Sequence, residues 1–511
     1  MATDAQDTGL PPNPLLAGIS TERRAPPLAL VVFGASGDLA SRKLLPALER
    51  LASRRQLPAA FAVVGVARTE MTDEEFRDMC RKAVPDAGPS WEGLVKGFRY
   101  VSGEYASAPT FERLAQVLEE VDQARGTGGN RVHYLATVPG VFAEVAESLA
   151  RHGLNKPSHE GAFVRIVVEK PYGRDLASAL ELDDRLHKVF DEPQLYRIDH
   201  YLGKETVQNV LALRFANAIF EPVWDRRYVD HVQITVAEEL GVGHRGGFYE
   251  SAGALRDIVQ NHVLQVLALT LVEPPATIDA KGIRDEKVKA LRAVEIMTPD
   301  EVATNVVRGQ YGPGWVEGEP VPGYRDEEGV APDSSTETYV GMRLRVDNWR
   351  WAGVPFYVRT GKRLPKRVTE VAMQFREVPH LPFQKGQARG LGPNTLVLRI
   401  QPDEGITLRF GAKVPGQEFR VRSVSMDFSY GAAFLEEAPE AYERLLLDAM
   451  VGDPTLFIRA DEVEQAWRIV EPLLEVWAEG RPPLVPYAAG TWGPPEADGL
   501  LAWDGHRWRT P

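Results

Sequence analysis

The run Leu28-Ala29-Leu30-Val31-Val32-Phe33 constrains the fold more than any other stretch of this chain. It is apolar on both faces. A strand with no polar face must be covered on both sides, as in a parallel sheet sandwiched between helices. Gly34-Ala35-Ser36-Gly37-Asp38 follows at once, and Leu44, Leu48 and Leu51 then recur at helical spacing. Further buried runs lie at 61–66, 131–136 and 163–168, with helical patterns between them. This alternation predicts a doubly wound α/β domain with a ligand crevice at the carboxyl ends of its strands.

After about residue 200 the texture changes. Val232, Ile234 and Val236 alternate with Gln233 and Thr235, which predicts a strand with one wet face. Similar strands are expected at 339–346, 355–359, 371–375, 396–400, 406–410 and 424–428, forming a large, mostly antiparallel sheet. Residues 252–272 are expected to interrupt it as one long, mostly apolar helix. The predicted organisation is a tail rich in Pro and Gly over 1–27, read as disordered, then a Rossmann-type α/β domain over 28–198 and an α+β domain over 199–511. A chain of 511 residues accommodates this, at about 100–200 residues per domain.

Charge and cysteine usage narrow the function classes. A net charge of −13 argues against nucleic acid as a partner. The longest apolar run, 263–272, is interrupted by Gln265. A membrane span needs roughly 20 apolar residues, so no membrane partner is expected. The first eight residues carry no basic cluster and no apolar segment follows, so no secretory signal is expected. Cys80 is the single cysteine, which fits a reducing, cytoplasmic location. No Cys/His cluster or H-E-x-x-H spacing calls for a metal.

Two glycine motifs compete for a dinucleotide. The literal G-x-G-x-x-G pattern at Gly241, Gly243 and Gly246 follows an alternating strand, lacks a βαβ unit and has no clean helix on its last glycine, so it reads as a turn. Gly34-Ala35-Ser36-Gly37-Asp38-Leu39 departs from the pattern at Ser36, yet it sits between a buried strand and an amphipathic helix, where a pyrophosphate would rest. On spacing alone an ordinary β–α turn is an equal reading. Arg68, just past the second run, shifts the balance: that strand end meets the adenine ribose, and arginine there suits the 2′-phosphate of NADP.

Longer segments carry a resemblance. Glu169-Lys170-Pro171-Tyr172-Gly173-Arg174-Asp175, Arg197-Ile198-Asp199-His200-Tyr201-Leu202-Gly203-Lys204-Glu205, Arg214-Phe215-Ala216-Asn217, Arg256-Asp257-Ile258-Val259-Gln260-Asn261-His262, and 354–356 through Gly361-Lys362 resemble signature segments of the glucose-6-phosphate dehydrogenases. The similarity runs from about Leu28 to near Trp508, and the segment 197–205 is its most specific part.

The resemblance implies NADP-dependent oxidation of β-D-glucose 6-phosphate at C1 to 6-phosphoglucono-δ-lactone, the entry step of the pentose phosphate pathway. It also implies a homodimer or homotetramer associating through the large sheet. It makes His262 the general base and Asp199 its orienting carboxylate, a choice that residue chemistry alone does not make among ten histidines. It gives His200, Tyr201 and Lys204 to the phosphate, and Glu238 and Asp257 to sugar hydroxyls. Lys362 and Arg367 would reach the substrate from the large domain, and Lys170 both sugar and nicotinamide. Lys43 and Arg68 would contact coenzyme phosphates. A cis Lys170–Pro171 bond is expected. The doubled acids Glu238-Glu239 and doubled bases Lys366-Arg367 leave open which member faces the sugar. Two rivals remain: an NADP-dependent dehydrogenase of another sugar, and a non-catalytic NADP-binding regulator.

Overall fold

Six strands make the first sheet: β1 (Leu28–Phe33), β2 (Phe61–Ala67), β3 (Arg99–Ser102), β4 (Arg131–Leu135), β5 (Val164–Val168) and β6 (Leu195–Arg197). They lie in the order β3-β2-β1-β4-β5-β6, every pairing parallel. β1 and β2 are buried along their whole lengths, as runs without a polar face require. The order reverses between β1 and β4, and such a switch point opens a crevice beyond the carboxyl strand ends. This computed structural model describes residues 23–384, 387–434 and 439–511. Of the expected tail 1–27, residues 1–22 lie outside the described residues. Residues 23–27 correct the expectation: Ala25 is buried, its N–H bonds to Gln56, and Arg23 pairs with Asp448 and Asp453.

The second sheet has nine strands: β7 (Val229–Ala237), β8 (Val306–Gly312), β11 (Tyr339–Leu344), β12 (Phe356–Gly361), β13 (Val368–Phe375), β14 (Thr395–Gln401), β15 (Gly405–Lys413), β16 (Val421–Ser429) and β17 (Leu484–Ala488). A separate hairpin joins β9 (Gly314–Val316) to β10 (Glu319–Val321). The large sheet runs β16-β15-β14-β13-β7-β12-β11-β8-β17. It is antiparallel except for β7 with β12 and β8 with β17. The expected large, mostly antiparallel sheet is present.

Three expectations in this half are corrected. The face of β7 expected to be wet is covered: Gln233 is 5% and Thr235 2% exposed. The C-terminal strap lies across it. Gln233 accepts the Arg509 N–H at 2.7 Å and donates to the Arg507 carbonyl at 2.9 Å, while Arg359 donates to the Arg509 carbonyl and stacks near Trp508. His506 bridges Asp230 and Tyr357 at 3.0 Å each. The orientation of the Gln233 amide makes it a donor to His231 Nε2 as well, so His231 presents Nδ1–H to Asp230. Asp230, His231 and His506 thus hold protons between them.

The long helix expected over 252–272 is three segments. A helix over Gly246–Ala254 bends at Gly253 (φ 63°, ψ 177°), a π-helical stretch follows over Leu255–Val263, and an α-helix runs Leu264–Leu271. Finally, a helix does begin on Gly246, although none was expected there. The reading of that glycine pattern as a turn survives for another reason: a Cβ on Gly241 would stand 2.7 Å from Arg363 Nε, so side chains already fill the space.

The two halves share a core. Helices Ala441–Val451 and Ala460–Ala478 return to the first sheet's side. There Arg50 donates to Glu443 at 2.8 Å and Trp467 Nε1 to the Tyr172 carbonyl at 2.8 Å. The second bond ties the segment just after β5 to the helix Ala460–Ala478.

Candidate active site

The first glycine loop meets the requirements of a dinucleotide cradle. Gly34 has φ 82°, and a Cβ there would lie 2.9 Å from the Ala136 carbonyl carbon, so the close turn admits only glycine. Gly37 N–H bonds back to the Gly34 carbonyl at 2.9 Å. Ala35 is buried, Ser36 is half-buried, and Leu39 packs against the core. Asp38 points outward and pairs with Arg42. Lys43, exposed on a π-helical turn over Ala40–Leu44, lies 3.8 Å from Glu440. Arg68 is exposed and has no carboxylate partner among the described residues. Thr69 joins it: its hydroxyl is 3.1 Å from that of Ser36.

Lys170 leaves the end of β5, two strands from β1 and so roughly 10 Å across the sheet from the glycine loop. The Lys170–Pro171 bond is cis. Its ammonium donates to the Asp257 carbonyl at 2.8 Å, to Asp257 Oδ1 at 3.1 Å and to His262 Nε2 at 3.1 Å. On the other side of the ring, His262 Nδ1–H donates to Asp199 Oδ1 at 2.5 Å. A lysine ammonium has no lone pair, so Nε2 is the acceptor and the Nδ1–H tautomer follows. Burial alone would raise the Asp199 carboxyl, but the His262 imidazole and the Tyr201 N–H hold it well below the usual carboxylate range. Burial lowers the His262 pKa; Asp199 pulls it back and Lys170 pushes it further down. His262 is therefore a neutral base at neutral pH, locked in one tautomer.

Asp199 precedes a tight turn, with Leu202 N–H on its carbonyl and Tyr201 N–H on Oδ1 at 2.9 Å. Residues 200–203 form turns, closed by Leu202 N–H to the Asp199 carbonyl and Lys204 N–H to the Tyr201 carbonyl, and helix Glu205–Phe215 begins only after Lys204. The turn stacks Tyr201 on the His262 ring, with centroids 4.1 Å apart and planes 15° apart. His200 meets His262 edge-on at 4.5 Å, and burial, then the neighbouring His262 and Lys170, keep it neutral. Lys204 lies over the Tyr201 ring and bonds Gln401 Oε1, which Arg367 also reaches at 3.4 Å. Burial and then Arg367 push Lys204 down to about 8. These groups form one basic nest beside the imidazole.

Carboxylates line the other side. Glu238 Oε2 accepts from Lys362 Nζ at 2.6 Å, which selects Glu238 over Glu239 as the member facing the cluster. Arg367, not Lys366, approaches Gln401. Burial would raise Asp257, but Lys170 and then Lys362 hold it down to about 2. All the expected substrate-end residues thus fall in one connected group. Gln401, Thr69 and Tyr249 were not foreseen. Gln401 ends β14, 197 residues from Lys204, and no local pattern marks it. Tyr249 lies under the Lys362 ammonium at 5.0 Å.

Comparison with known proteins decides the family. The model for the glucose-6-phosphate dehydrogenase NAD binding domain matches residues 31–209, and that for the C-terminal domain matches 211–509. The chain belongs to the glucose-6-phosphate dehydrogenase family. It is 50% identical to glucose-6-phosphate 1-dehydrogenase 2 of Mycobacterium tuberculosis over 495 residues, 96% of each chain. It is 48% identical to the glucose-6-phosphate 1-dehydrogenase of Aggregatibacter actinomycetemcomitans, covering 94% of this chain and 97% of that one. A solved glucose-6-phosphate dehydrogenase in complex with its substrate glucose-6-phosphate superposes with TM-score 0.86 at 34% identity, covering 96% of this chain and 100% of that one. A second, from Mycobacterium avium, gives 0.79 at 39%, covering 95% and 99%. The dinucleotide-binding half thus precedes a larger half.

Proposed function

We propose that this chain oxidises the C1 hydroxyl of β-D-glucose 6-phosphate to 6-phosphoglucono-δ-lactone, with NADP+ as hydride acceptor, as the entry to the pentose phosphate pathway. The observation that carries this reading is the buried relay Asp199–His262–Lys170 at the end of β5, beside the basic nest. His262 Nε2 takes the C1 hydroxyl proton, and Asp199 stabilises the imidazolium that forms. As the C–H bond gives up its electron pair, the C1–O bond becomes the lactone carbonyl. Bound NADP+ supplies the acceptor for that hydride.

Before the hydroxyl can use Nε2, Lys170 must yield the lone pair it occupies. In our reading it turns to the sugar and the nicotinamide instead. Lys204, Arg367, His200 and Tyr201 hold the phosphate dianion, with Gln401 tying the first two together. Glu238, Asp257 and Lys362 orient the ring hydroxyls. The loop 34–39, with Lys43 and Arg68, takes the coenzyme, and Arg68 selects NADP through the 2′-phosphate.

We place the domain division at 198/199, where the parallel sheet has ended. A homodimer or homotetramer would form through the outer strands of the large sheet, where Val424 and Met426 are exposed. Among the described residues no helix is long and apolar enough to cross a membrane, and the single buried Cys80 suits the cytoplasm.

The test is NADPH formation by the purified protein with glucose 6-phosphate against glucose, and NADP+ against NAD+. The phosphorylated sugar with NADP+ is expected to give the highest kcat/KM. Equal rates with both sugars would point to a dehydrogenase of another sugar. No turnover despite NADP+ binding would point to a regulator.

A further inference from the structure

Asp257 and His262 are five residues apart, and both contact the Lys170 ammonium. In an α-helix of 3.6 residues per turn, residues five apart point about 140° away from each other. They could not share one lysine. The stretch Leu255–Val263 is instead π-helical, and i→i+5 closure brings residues five apart back to one face. The helix register is therefore what lets one segment present both a hydroxyl-binding carboxylate and a base to the same sugar.

A π register is rare, and something must hold it. Two side chains are placed to do so. At its start, Glu337 is buried, 5% exposed, in the stretch before β11, and no cation pairs with it among the described residues. Its Oε1 accepts the Leu255 N–H at 3.0 Å and its main-chain carbonyl accepts the Ala254 N–H at 3.0 Å. The carboxyl stands where a side chain on Gly253 would be: a Cβ there would lie 2.7 Å from Cδ and Oε2, and Gly253 has a backbone conformation open only to glycine. At the far end, Asn261 is inserted into the ladder. Its Nδ2 donates to the Arg256 carbonyl at 3.0 Å, five residues back, and its Oδ1 accepts the His262 N–H at 2.6 Å.

We propose that Glu337 and Asn261 are positioning residues that hold residues 255–263 in the π register, and that this register sets both sugar binding and proton abstraction. The proposal rests on the roles given to Asp257 and His262 under Proposed function. Relaxation toward α-helix would swing Asp257 away from the crevice and shift His262 on Asp199.

The experiment compares Glu337→Ala, Glu337→Gln, Asn261→Ala and His262→Asn. It reads KM for glucose 6-phosphate, kcat, the pH profile of kcat/KM, and the Kd for NADP+. Glu337→Ala and Asn261→Ala are expected to raise KM and lower kcat together, with kcat/KM down on the order of 10²-fold, the scale of a misplaced catalytic group. The acid limb of the pH profile should move, and the Kd for NADP+ should stay within about twofold, since the coenzyme loop lies on the other sheet. Glu337→Gln keeps an oxygen for Leu255 and should restore near-normal kinetics. A purely structural role would lower thermal stability while leaving KM and the pH profile in place, and that result overturns the proposal. So does failure of both Ala variants to change kcat/KM. If His262→Asn itself is fully active, the assignment of the base is what fails.

Discussion

The coenzyme loop and the substrate crevice each sit on a π-helical turn, at Ala40–Leu44 and Leu255–Val263, yet they are assembled in opposite ways. The loop is one contiguous stretch, 34–43, joined by Arg68 and Thr69 from the neighbouring strand end. The crevice draws on 170, 199–204, 238, 257–262, 362–367 and 401. The first is a local device: strand, tight glycine, helix. The second exists only when two sheets and the returning C-terminal helices dock. Apart from Lys170, which our reading gives to both sugar and nicotinamide, the two sites share no residue, so substitutions elsewhere in one should add to those in the other.

That independence can be broken or sharpened in order of expected effect. His262→Asn removes the proposed base and should cut kcat by about 10²–10⁴-fold, with the Kd for NADP+ unchanged. A large loss of coenzyme affinity would show the halves to be coupled. Lys204→Ala removes a charge-assisted contact of about 1.5–3 kcal/mol, so KM for glucose 6-phosphate should rise roughly tenfold to a hundredfold while KM for glucose hardly moves. Arg68→Ala is the mirror experiment. It should raise KM for NADP+ by about tenfold, given the exposed site and the low end of the same range, and leave KM for NAD+ and for the sugar alone.

Acidity separates the halves more gently. Lys204 is pushed down to about 8 by burial and then by Arg367. It is charged below that pH and neutral above it, so KM for glucose 6-phosphate should rise as pH passes about 8, by at most about tenfold per pH unit. His262 is lowered from its ordinary value and acts as the neutral form, so the acid limb of kcat/KM should fall below pH ~6.5. An acid limb above that value would contradict the lowering of the imidazole by burial and Lys170. The smallest effect is structural: Gln233→Ala loses the strap's bonds across β7 and should cost about 1–3 kcal/mol of stability with kinetics unaltered.

Much of this was legible in the chain. Strands without a polar face, such as β1 and β2, demand cover on both sides, and the place of the glycine loop between a buried strand and an amphipathic helix was readable from sequence, although the Ala136 contact that makes Gly34 necessary was not. Within residues 197–205 the family resemblance named Asp199, His200, Tyr201 and Lys204 before any geometry. The alternation in β7 misled, because a polar residue such as Gln233 can be buried when a distant strap and the nearby His231 meet its side-chain hydrogen bonds. The apolar helix over 252–272 misled for a related reason: periodicity does not distinguish α from π closure when nearly every position is buried.

What the sequence determined alone was the set of local choices: which runs must be covered, where the chain turns, and which ionisable groups exist to be used. Only the tertiary structure decided that Gln401 meets Lys204, that Glu238 rather than Glu239 faces Lys362, and that Asp257 and His262 share one lysine. The physical reason is range. Steric and periodic rules act over a few residues, whereas a hydrogen bond between groups 197 positions apart is specified by how whole sheets pack.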